Sequence, residues 1–323
     1  MLKTWIKKSL YAFPVAFLFL TLVFRVEYRL EAPGNLEPLR RFIVFEGPIQ
    51  GPENLNAVYV MSYQRPTVFQ WFIAQFIPSI DVTPIPPSQT GITNQDRFVS
   101  GQVSRNSAIE ASVLTAFLAL DEAVEYEVQW LLSLFRSEQR NQGLVIGDQL
   151  IAVDNVTDDL MQRLSEVACD EDVRLTFLGS EPYEVILRKN VDGCLLGLQF
   201  TAFYNITSVP VAYTVESSLI GGPSAGMMQT LYVYLSLVDA TFDDLKIAGT
   251  GSIFINGQVG SIGAVRQKVY TAHREKVDVF FVPSGANYEE ALRVYQSLRH
   301  PAFDLVAVSH FNDILDYLEG RHE

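Results

Sequence analysis

A glycine-rich turn that leads straight into an apolar helical run constrains this 323-residue chain more than any other stretch. Residues 221–226 read Gly-Gly-Pro-Ser-Ala-Gly, and the apolar run continues to Val238. Glycines let the backbone approach a substrate closely, and the free amides at a helix start can stabilise an oxyanion. The pattern therefore predicts that Ser224 stands at a helix start, either as a nucleophile or as an ordinary helix cap.

A serine nucleophile needs a base, and Lys268 is the best candidate in the chain. The four histidines all lie late in the sequence, on charged or loop-like segments. Lys268 stands at the start of another predicted helix, between the small or apolar residues 262–265 and Val269. Burial there would lower its pKa from about 10.4 and leave the amine neutral. A lone lysine at a helix start is usually a surface charge, so its assignment as a base depends on its combination with Ser224.

Further short motifs follow the serine. They are Thr-Gly-x-Ile at 250–253, Asn-Gly-Gln-Val-Gly-x-Ile-Gly at 256–263 and Gln-Lys at 267–268. Together with Gly-Pro-Ser-Ala-Gly, this combination resembles the proteolytic domain of the Lon protease family, over roughly residues 195–318. The resemblance implies a serine endopeptidase with Ser224 as nucleophile and Lys268 as general base.

The resemblance also implies supporting residues around this pair. Thr250 matches the family threonine whose hydroxyl helps to hold the lysine. Gly222 and Pro223 shape the turn, and the amide of Ala225 joins that of the serine as an expected oxyanion donor.

A predicted strand over residues 211–216 leads into the turn. An extended peptide can pair with such a strand through its main chain. Val211, Tyr213 and Val215 are therefore the expected substrate-strand residues.

The chain departs from energy-dependent Lon enzymes in two respects. Gly221 and Ser252 stand where those enzymes often have acidic residues. No Gly-x-x-x-x-Gly-Lys-[Ser/Thr] motif occurs, so we expect cleavage without ATP, on peptides or locally unfolded segments. There is also no His-Glu-x-x-His or Cys-x-x-Cys, and we expect neither a metal nor a cofactor.

The N-terminus predicts a membrane anchor. Lys3, Lys7 and Lys8 precede residues 10–24, which carry no charge. A helix here reaches roughly the length that spans a bilayer, and no small-x-small cleavage site follows. We therefore expect an uncleaved single-pass anchor in the cell membrane, with the N-terminus in the cytoplasm and the bulk of the chain outside. A cleaved signal peptide is the alternative.

The middle of the chain resembles a PDZ domain over residues 124–192. Gly147-Asp148 precedes an alternating apolar strand, which a short helix and two strands follow. PDZ domains bind a peptide end beside one strand and hold its carboxylate in a glycine-containing loop. No such loop precedes residues 127–134, so peptide binding and a purely structural role both remain open.

These segments predict a multidomain protein of the α+β or α/β class. Residues 1–28 are the cytoplasmic tip and transmembrane anchor, and residues 29–123 form an N-terminal support region. Residues 124–192 are the PDZ-like, β-rich domain, and residues 193–323 are the Lon-type proteolytic domain. This order resembles the membrane-anchored PDZ–Lon proteins of Gram-positive bacteria.

Three local features complete the expectations. Pro33-Gly34 should break the chain after the anchor. Residues 67–77 should form a helix whose aromatic stripe belongs to the core. Cys169 and Cys194 are too few for a disulfide framework, and one bridge or two separate thiols are both compatible with the sequence.

Composition excludes some functions. The net charge of −13 disfavours nucleic acid as a partner. The expected function is ATP-independent, membrane-anchored serine endopeptidase activity on extracytoplasmic peptides or unfolded segments, with homo-oligomerisation possible. A non-catalytic membrane scaffold that binds peptides through the PDZ-like domain is the alternative, and cleavage limited to the chain itself is a third reading.

Overall fold

The computed structural model describes residues 19–191, 193–242 and 244–321, in which strands and helices alternate. The strands are β1 (Tyr28–Pro38), β2 (Ile43–Phe45), β3 (Leu55–Gln64), β4 (Asp81–Pro84), β5 (Glu125–Phe135), β6 (Gln149–Val153), β7 (Asp172–Leu178), β8 (Pro182–Arg188), β9 (Leu198–Ser208), β10 (Tyr213–Val215), β11 (Ile247–Gly249), β12 (Ser252–Ile253), β13 (Val259–Gly260), β14 (Val279–Pro283) and β15 (Asp304–Val308). The helices are α1 (Val68–Ala74), α2 (Asn94–Ala119), α3 (Leu160–Glu166), α4 (Gly226–Leu237), α5 (Val265–Arg274), α6 (Ala286–Ser297) and α7 (Phe311–Glu319), with short 3-10 turns at Leu39–Arg41, Pro87–Gln89 and Ser137–Gln139.

A six-stranded mixed sheet combines strands from both ends of the chain, in the order β15-β14-β11-β3-β1-β4. Strands β15, β14, β11 and β3 run parallel, whereas β1 and β4 complete the sheet antiparallel to their neighbours. The central strands are short apolar runs, as expected for parallel strands that are covered on both faces. The segment from 29 to 123 and the C-terminal segment therefore share one sheet.

Helices cover both faces of this sheet. Because side chains alternate along a strand, Phe281 faces one core and its neighbour Phe280 faces the other. The first core also contains buried residues of α2, α4 and α7, and the second contains those of α5 and α6. Helix α5 also packs on β1 and β3. This packing places its side chains near the start of α4.

Helix α2 is longer than the sequence pattern predicts. The apolar spacing predicts a helix over residues 106–120, but the helix starts at Asn94. Thr93 caps it, with its hydroxyl accepting from the Asp96 amide at 3.1 Å and its own amide donating to Asp96 at 2.7 Å. The first three turns are mostly polar, and Val99 and Val103 pack against a third core, which is formed by residues 132–187. The helical period of these turns is therefore weak in the sequence.

A five-stranded antiparallel sheet, in the order β8-β7-β6-β5-β9, forms the second layer of the molecule. Strands β5 to β8 and helix α3 appear where the PDZ-like segment predicts strands and a short helix. Strand β5 pairs with β9 along its whole length but with β6 only around Trp130 and Leu131. Cys169 and Cys194 form a disulfide beside this sheet, so the sequence reading with one bridge is the correct one.

The predicted break at Pro33-Gly34 is wrong, because β1 runs through it. The register with β3 shifts between Pro33 and Leu36, and this bulge accommodates the proline that cannot donate a hydrogen bond. A Cβ atom at Gly34 would lie 2.2 Å from the Tyr59 carbonyl oxygen, so the close approach of the two backbones requires glycine here.

The aromatic stripe of residues 67–77 is not part of the core. Thr67 and Gln70 form a capping box that starts α1, as the helix prediction requires. However, Ala74 is the buried residue of this helix, while Phe69, Phe72 and Phe76 are exposed. The helix packs on β1 and the edge strand β4 through one side only, and its other side faces away from the sheet.

The predicted anchor lies largely outside the described residues. Its last part, residues 19–23, is helical, and Phe24 follows it. Within the part of the chain that the structure describes, none of the helices has the length and apolar character needed to cross a membrane.

Candidate active site

The turn that carries Ser224 is held against helix α2. Gly222 has φ of +95°, a conformation that favours glycine, and its amide donates to the Gly101 carbonyl at 2.7 Å. A Cβ atom at Gly221 would lie 2.9 Å from the Gly101 backbone. The two glycines of the turn thus allow it to lie directly on the N-terminal part of α2.

The main chain around Ser224 is fixed on its other side by the segment that follows β11. The Ser224 carbonyl accepts from the Gly251 amide at 2.8 Å and from the Thr250 hydroxyl at 3.1 Å. The Pro223 carbonyl accepts from the Gly226 amide at 3.1 Å, which closes the turn before α4. Within the described chain, the amides of Ser224 and Ala225 donate to no other group. Among the described residues, these two donors beside the serine are thus left without an acceptor, which is compatible with an oxyanion hole.

Lys268 is buried at the end of the first turn of α5. It is 2% exposed, and its helix neighbours Val265 and Val269 are buried in the core on this face of the sheet. Burial disfavours the charged ammonium and lowers the pKa of Lys268 to about 7. A substantial fraction of the amine is therefore neutral near pH 7.

Thr250 connects the lysine to the serine turn. The Lys268 Nζ donates to the Thr250 Oγ1 at 2.8 Å, and the Thr250 hydroxyl donates onward to the Ser224 carbonyl. Thr250 is fully buried, so this hydrogen-bond chain holds the lysine side chain in one orientation. A neutral amine that donates to Thr250 keeps its lone pair available to accept one further proton.

Ser224 and Lys268 line the same cavity, which has a volume of about 440 Å³. Gly222 and Ala225 line it as well, on the serine side. The remaining wall is formed by Glu37, Phe42, Ala57, Val58, Tyr59, Val60, Arg105, Leu219, Ile220, Gly221 and Gln229. A serine hydroxyl, a buried lysine amine and free amide donors thus meet in one cleft large enough for part of a peptide.

The expected substrate-strand residues lie elsewhere. Strand β10 is shorter than predicted and excludes Val211, and it pairs with β2. Tyr213 and Val215 border a different cavity of about 320 Å³, and the Tyr213 hydroxyl donates to the Glu110 carboxylate. None of the three residues lines the cavity of Ser224 and Lys268. The chain that borders this cavity is the following segment, at Leu219 and Ile220.

Two buried polar residues of the cavity have no motif in the sequence. The Arg105 guanidinium donates to the Glu216 carbonyl and lies 5.4 Å from the centroid of the Phe42 ring. Burial lowers the pKa of Arg105 below its usual value. The Gln229 side-chain oxygen has no hydrogen-bond partner in the described chain. Residues of this kind can be recognised as part of the cavity only when the fold shows where their side chains lie.

Glu31 is a third residue that the sequence pattern misses. It lies on β1, where its carboxylate pairs with Arg29 at 3.2 Å. Its negative charge favours the ammonium form of Lys268 and so raises the pKa of that lysine, against the larger effect of burial. The predicted break at Pro33-Gly34 concealed β1 and therefore concealed this interaction.

Comparison with known proteins identifies the C-terminal part of the chain. Residues 197–319 match the family model of the Lon protease (S16) C-terminal proteolytic domain. The chain is also 30% identical over 100 residues to the Lon protease of Campylobacter jejuni. That match covers 30% of this chain and only 12% of the Campylobacter protein. A Lon-type proteolytic domain is therefore present, and it supports a serine peptidase.

Proposed function

We propose that this chain is an ATP-independent serine endopeptidase with Ser224 as nucleophile and Lys268 as general base. One observation carries the proposal: a lysine that is 2% exposed shares a cavity with a serine whose turn provides free amides. The Lon-type domain over residues 197–319 supports the same reaction class. Thr250 is the positioning residue, because its hydroxyl contacts both partners.

The reaction follows from these positions. The Ser224 Oγ attacks the carbonyl carbon of a peptide bond while its proton passes to the neutral Lys268 amine. The amides of Ser224 and Ala225 stabilise the oxyanion of the tetrahedral intermediate. Lys268 then gives the proton to the leaving amine as the C–N bond breaks. Water attacks the acyl-enzyme, Lys268 accepts its proton, and the proton returns to Ser224 as the ester bond breaks.

The substrate is an extended segment that enters from the side of Leu219 and Ile220. These residues border the cavity, whereas β10 is already paired with β2. No P-loop motif occurs in the sequence, so the substrate is a peptide or a segment that is already unfolded. This assignment replaces the expected substrate strand of Val211, Tyr213 and Val215.

The proposed location is the outer side of the cell membrane, with residues 10–24 as the anchor. The lysines before the uncharged run support a cytoplasmic N-terminus. The disulfide between Cys169 and Cys194 supports an oxidising environment for the rest of the chain. The five-stranded sheet is proposed as a PDZ-like module. The edge of β5 that β6 leaves unpaired before Trp130 is where a peptide strand can add.

Peptide cleavage by the full-length chain in detergent tests the activity. The chain and its Ser224→Ala variant are incubated with a library of unstructured peptides, and products are identified by mass spectrometry. Cleavage by the unmodified chain alone supports the proposal. Equal cleavage by both proteins assigns the activity to another nucleophile, and no cleavage by either favours the non-catalytic scaffold.

A further inference from the structure

Helix α1 presents a large apolar surface to solvent. Its members are side chains of one short helix and the turn after it, and they are 39–69% exposed. This α1 surface consists of Phe69, Phe72, Ile73, Phe76 and Ile77. Exposed apolar patches of this kind usually mark a site of contact with a partner or a membrane.

The α1 surface adjoins the end of the predicted anchor. The Val68 amide donates to the Phe24 carbonyl at 2.9 Å, and the Val26 amide donates to the Pro66 carbonyl at 3.0 Å. Residues 19–24 contribute further exposed apolar side chains, namely Phe19, Leu20, Leu22, Val23 and Phe24. Backbone hydrogen bonds thus hold α1 beside the point where the uncharged run ends.

The composition of α1 fits a lipid interface. Residues 66–80 contain no charged side chain, and the first charges on either side are Arg65 and Asp81. Helices that lie in the membrane interface bury an apolar face rich in Phe, Trp and Leu at the boundary between headgroups and acyl chains. Phe72 and Phe76 lie in edge contact at 5.2 Å and together form the most exposed part of the surface.

We propose that the α1 surface lies in the interfacial layer of a phospholipid bilayer, next to the membrane exit of the anchor. This inference rests on the proposed anchor and deepens it, because a single helical span does not fix how the rest of the chain faces the membrane. Helix α1 packs on β1 and β4, and Trp71 contacts Tyr28 of β1 with ring centroids 5.6 Å apart. A second attachment through α1 therefore orients the six-stranded sheet and the cleft beside it relative to the bilayer.

Spin-label accessibility in the full-length chain tests this surface. Both native cysteines are in the disulfide, so one introduced cysteine is the single free thiol. Phe72→Cys and Phe76→Cys probe the α1 surface, Leu20→Cys probes the anchor, and Ile186→Cys is the matched control. Ile186 is 57% exposed on β8, in the five-stranded sheet. Each labelled protein is reconstituted in vesicles of phosphatidylcholine and phosphatidylglycerol and exposed to oxygen or to a polar nickel complex.

Labels at 72, 76 and 20 are expected to be more accessible to oxygen than to nickel, with the opposite order at 186. If the label at 20 contacts lipid while those at 72 and 76 match 186, the anchor stands and the proposal for α1 fails. If all four labels are aqueous, the anchor fails and the proposal fails with it. Labels at 72 and 76 that are immobile and protected from both reagents identify a protein as the occupant, which also overturns the proposal. Thermal unfolding at the wild-type temperature verifies that each labelled chain is folded.

Discussion

Two buried lysines, one in each sheet region, differ in what surrounds the amine. Lys189, beside the five-stranded sheet, donates to the carbonyls of Leu164 at 3.0 Å, Ser165 at 3.4 Å and Val167 at 2.7 Å. These carbonyls belong to the end of α3, where unpaired acceptors favour a cation. Lys268, beside the six-stranded sheet, donates among the described residues to the Thr250 hydroxyl alone.

This difference separates a lysine whose ammonium is fully hydrogen-bonded from one that is suited to the proposed role of a base. Three carbonyl acceptors use all three protons of the Lys189 side chain, so its hydrogen-bonding capacity is filled. The ammonium of Lys268 is buried with one acceptor, and the loss of solvation lowers its pKa to about 7. Burial alone does not suit a lysine to act as a base. The charged form must also lack hydrogen-bond acceptors in its buried position, so that the neutral amine is favoured. Substitutions at the two positions should therefore have opposite consequences for activity and stability.

The largest expected effect is on cleavage. Ser224→Ala and Lys268→Met should each lower kcat/KM by roughly 10⁴-fold or more, because each removes a group that acts in every turnover. Peptide cleavage by the full-length variants measures this. Lys189→Met is the matched control and should retain activity for each folded molecule. A Lys268→Met variant that keeps more than a small part of its activity would contradict the assigned base.

The second effect concerns stability in the five-stranded sheet region. Lys189→Met leaves three carbonyls at the end of α3 without their donor. We expect the free energy of unfolding to fall by on the order of 3 kcal/mol. Urea denaturation followed by circular dichroism measures the change. An unchanged midpoint would show that water replaces the ammonium without loss of stability. Lys189 would then have no stabilising role, and the contrast between the two lysines would concern activity alone.

Lys268→Met should change stability in the opposite direction. The folded pKa of Lys268 is about 7, so the unfolded chain binds more protons between about pH 7 and pH 10.4. Below this window, Lys268 lowers the free energy of unfolding by its full amount. This loss becomes smaller as the pH rises through the window. At pH 7 the substitution should raise the free energy of unfolding by on the order of 4 kcal/mol, with little gain above pH 10. Denaturation series at pH 7 and pH 10 test the sign.

Thr250→Val removes the hydroxyl that orients the lysine and keeps the shape of the side chain. We expect kcat to fall by about tenfold to a hundredfold with little change in KM, because the base loses its fixed position. Thr250→Ser restores the hydroxyl and should recover most of the rate. Equal losses in both variants would indicate a packing role for Thr250 instead.

The smallest effect is expected at Glu31. Its carboxylate raises the pKa of Lys268, so Glu31→Gln should move the rise of kcat/KM with pH to lower pH. The comparison variant is Glu184→Gln, an exposed carboxylate in the five-stranded sheet that should leave the profile unchanged. Steady-state kinetics across neutral pH measures the shift.

Short sequence patterns predicted the local parts of the site. The glycine turn, the helix after Ser224 and the position of Lys268 on α5 depend on neighbouring residues and can be read from them. The parallel pairing of β3 with β11 joins residues about 190 positions apart, and no local pattern contains it. Gly101 and Glu31 reach the site only through such long-range packing. The stripe on α1 has a helical period, but periodicity does not distinguish a face that packs on protein from one that faces outward.

The rate at which a fluorophosphonate modifies the full-length chain, measured from pH 5 to pH 9, tests the central claim most directly. The Ser224 Oγ displaces fluoride from phosphorus, and mass spectrometry locates the adduct. We predict a single adduct on Ser224 whose rate rises with pH to a midpoint near 7, the pKa of Lys268, and is lost in Lys268→Met. An adduct elsewhere, no adduct, or a rate that is unchanged in Lys268→Met would contradict the Ser224–Lys268 pair.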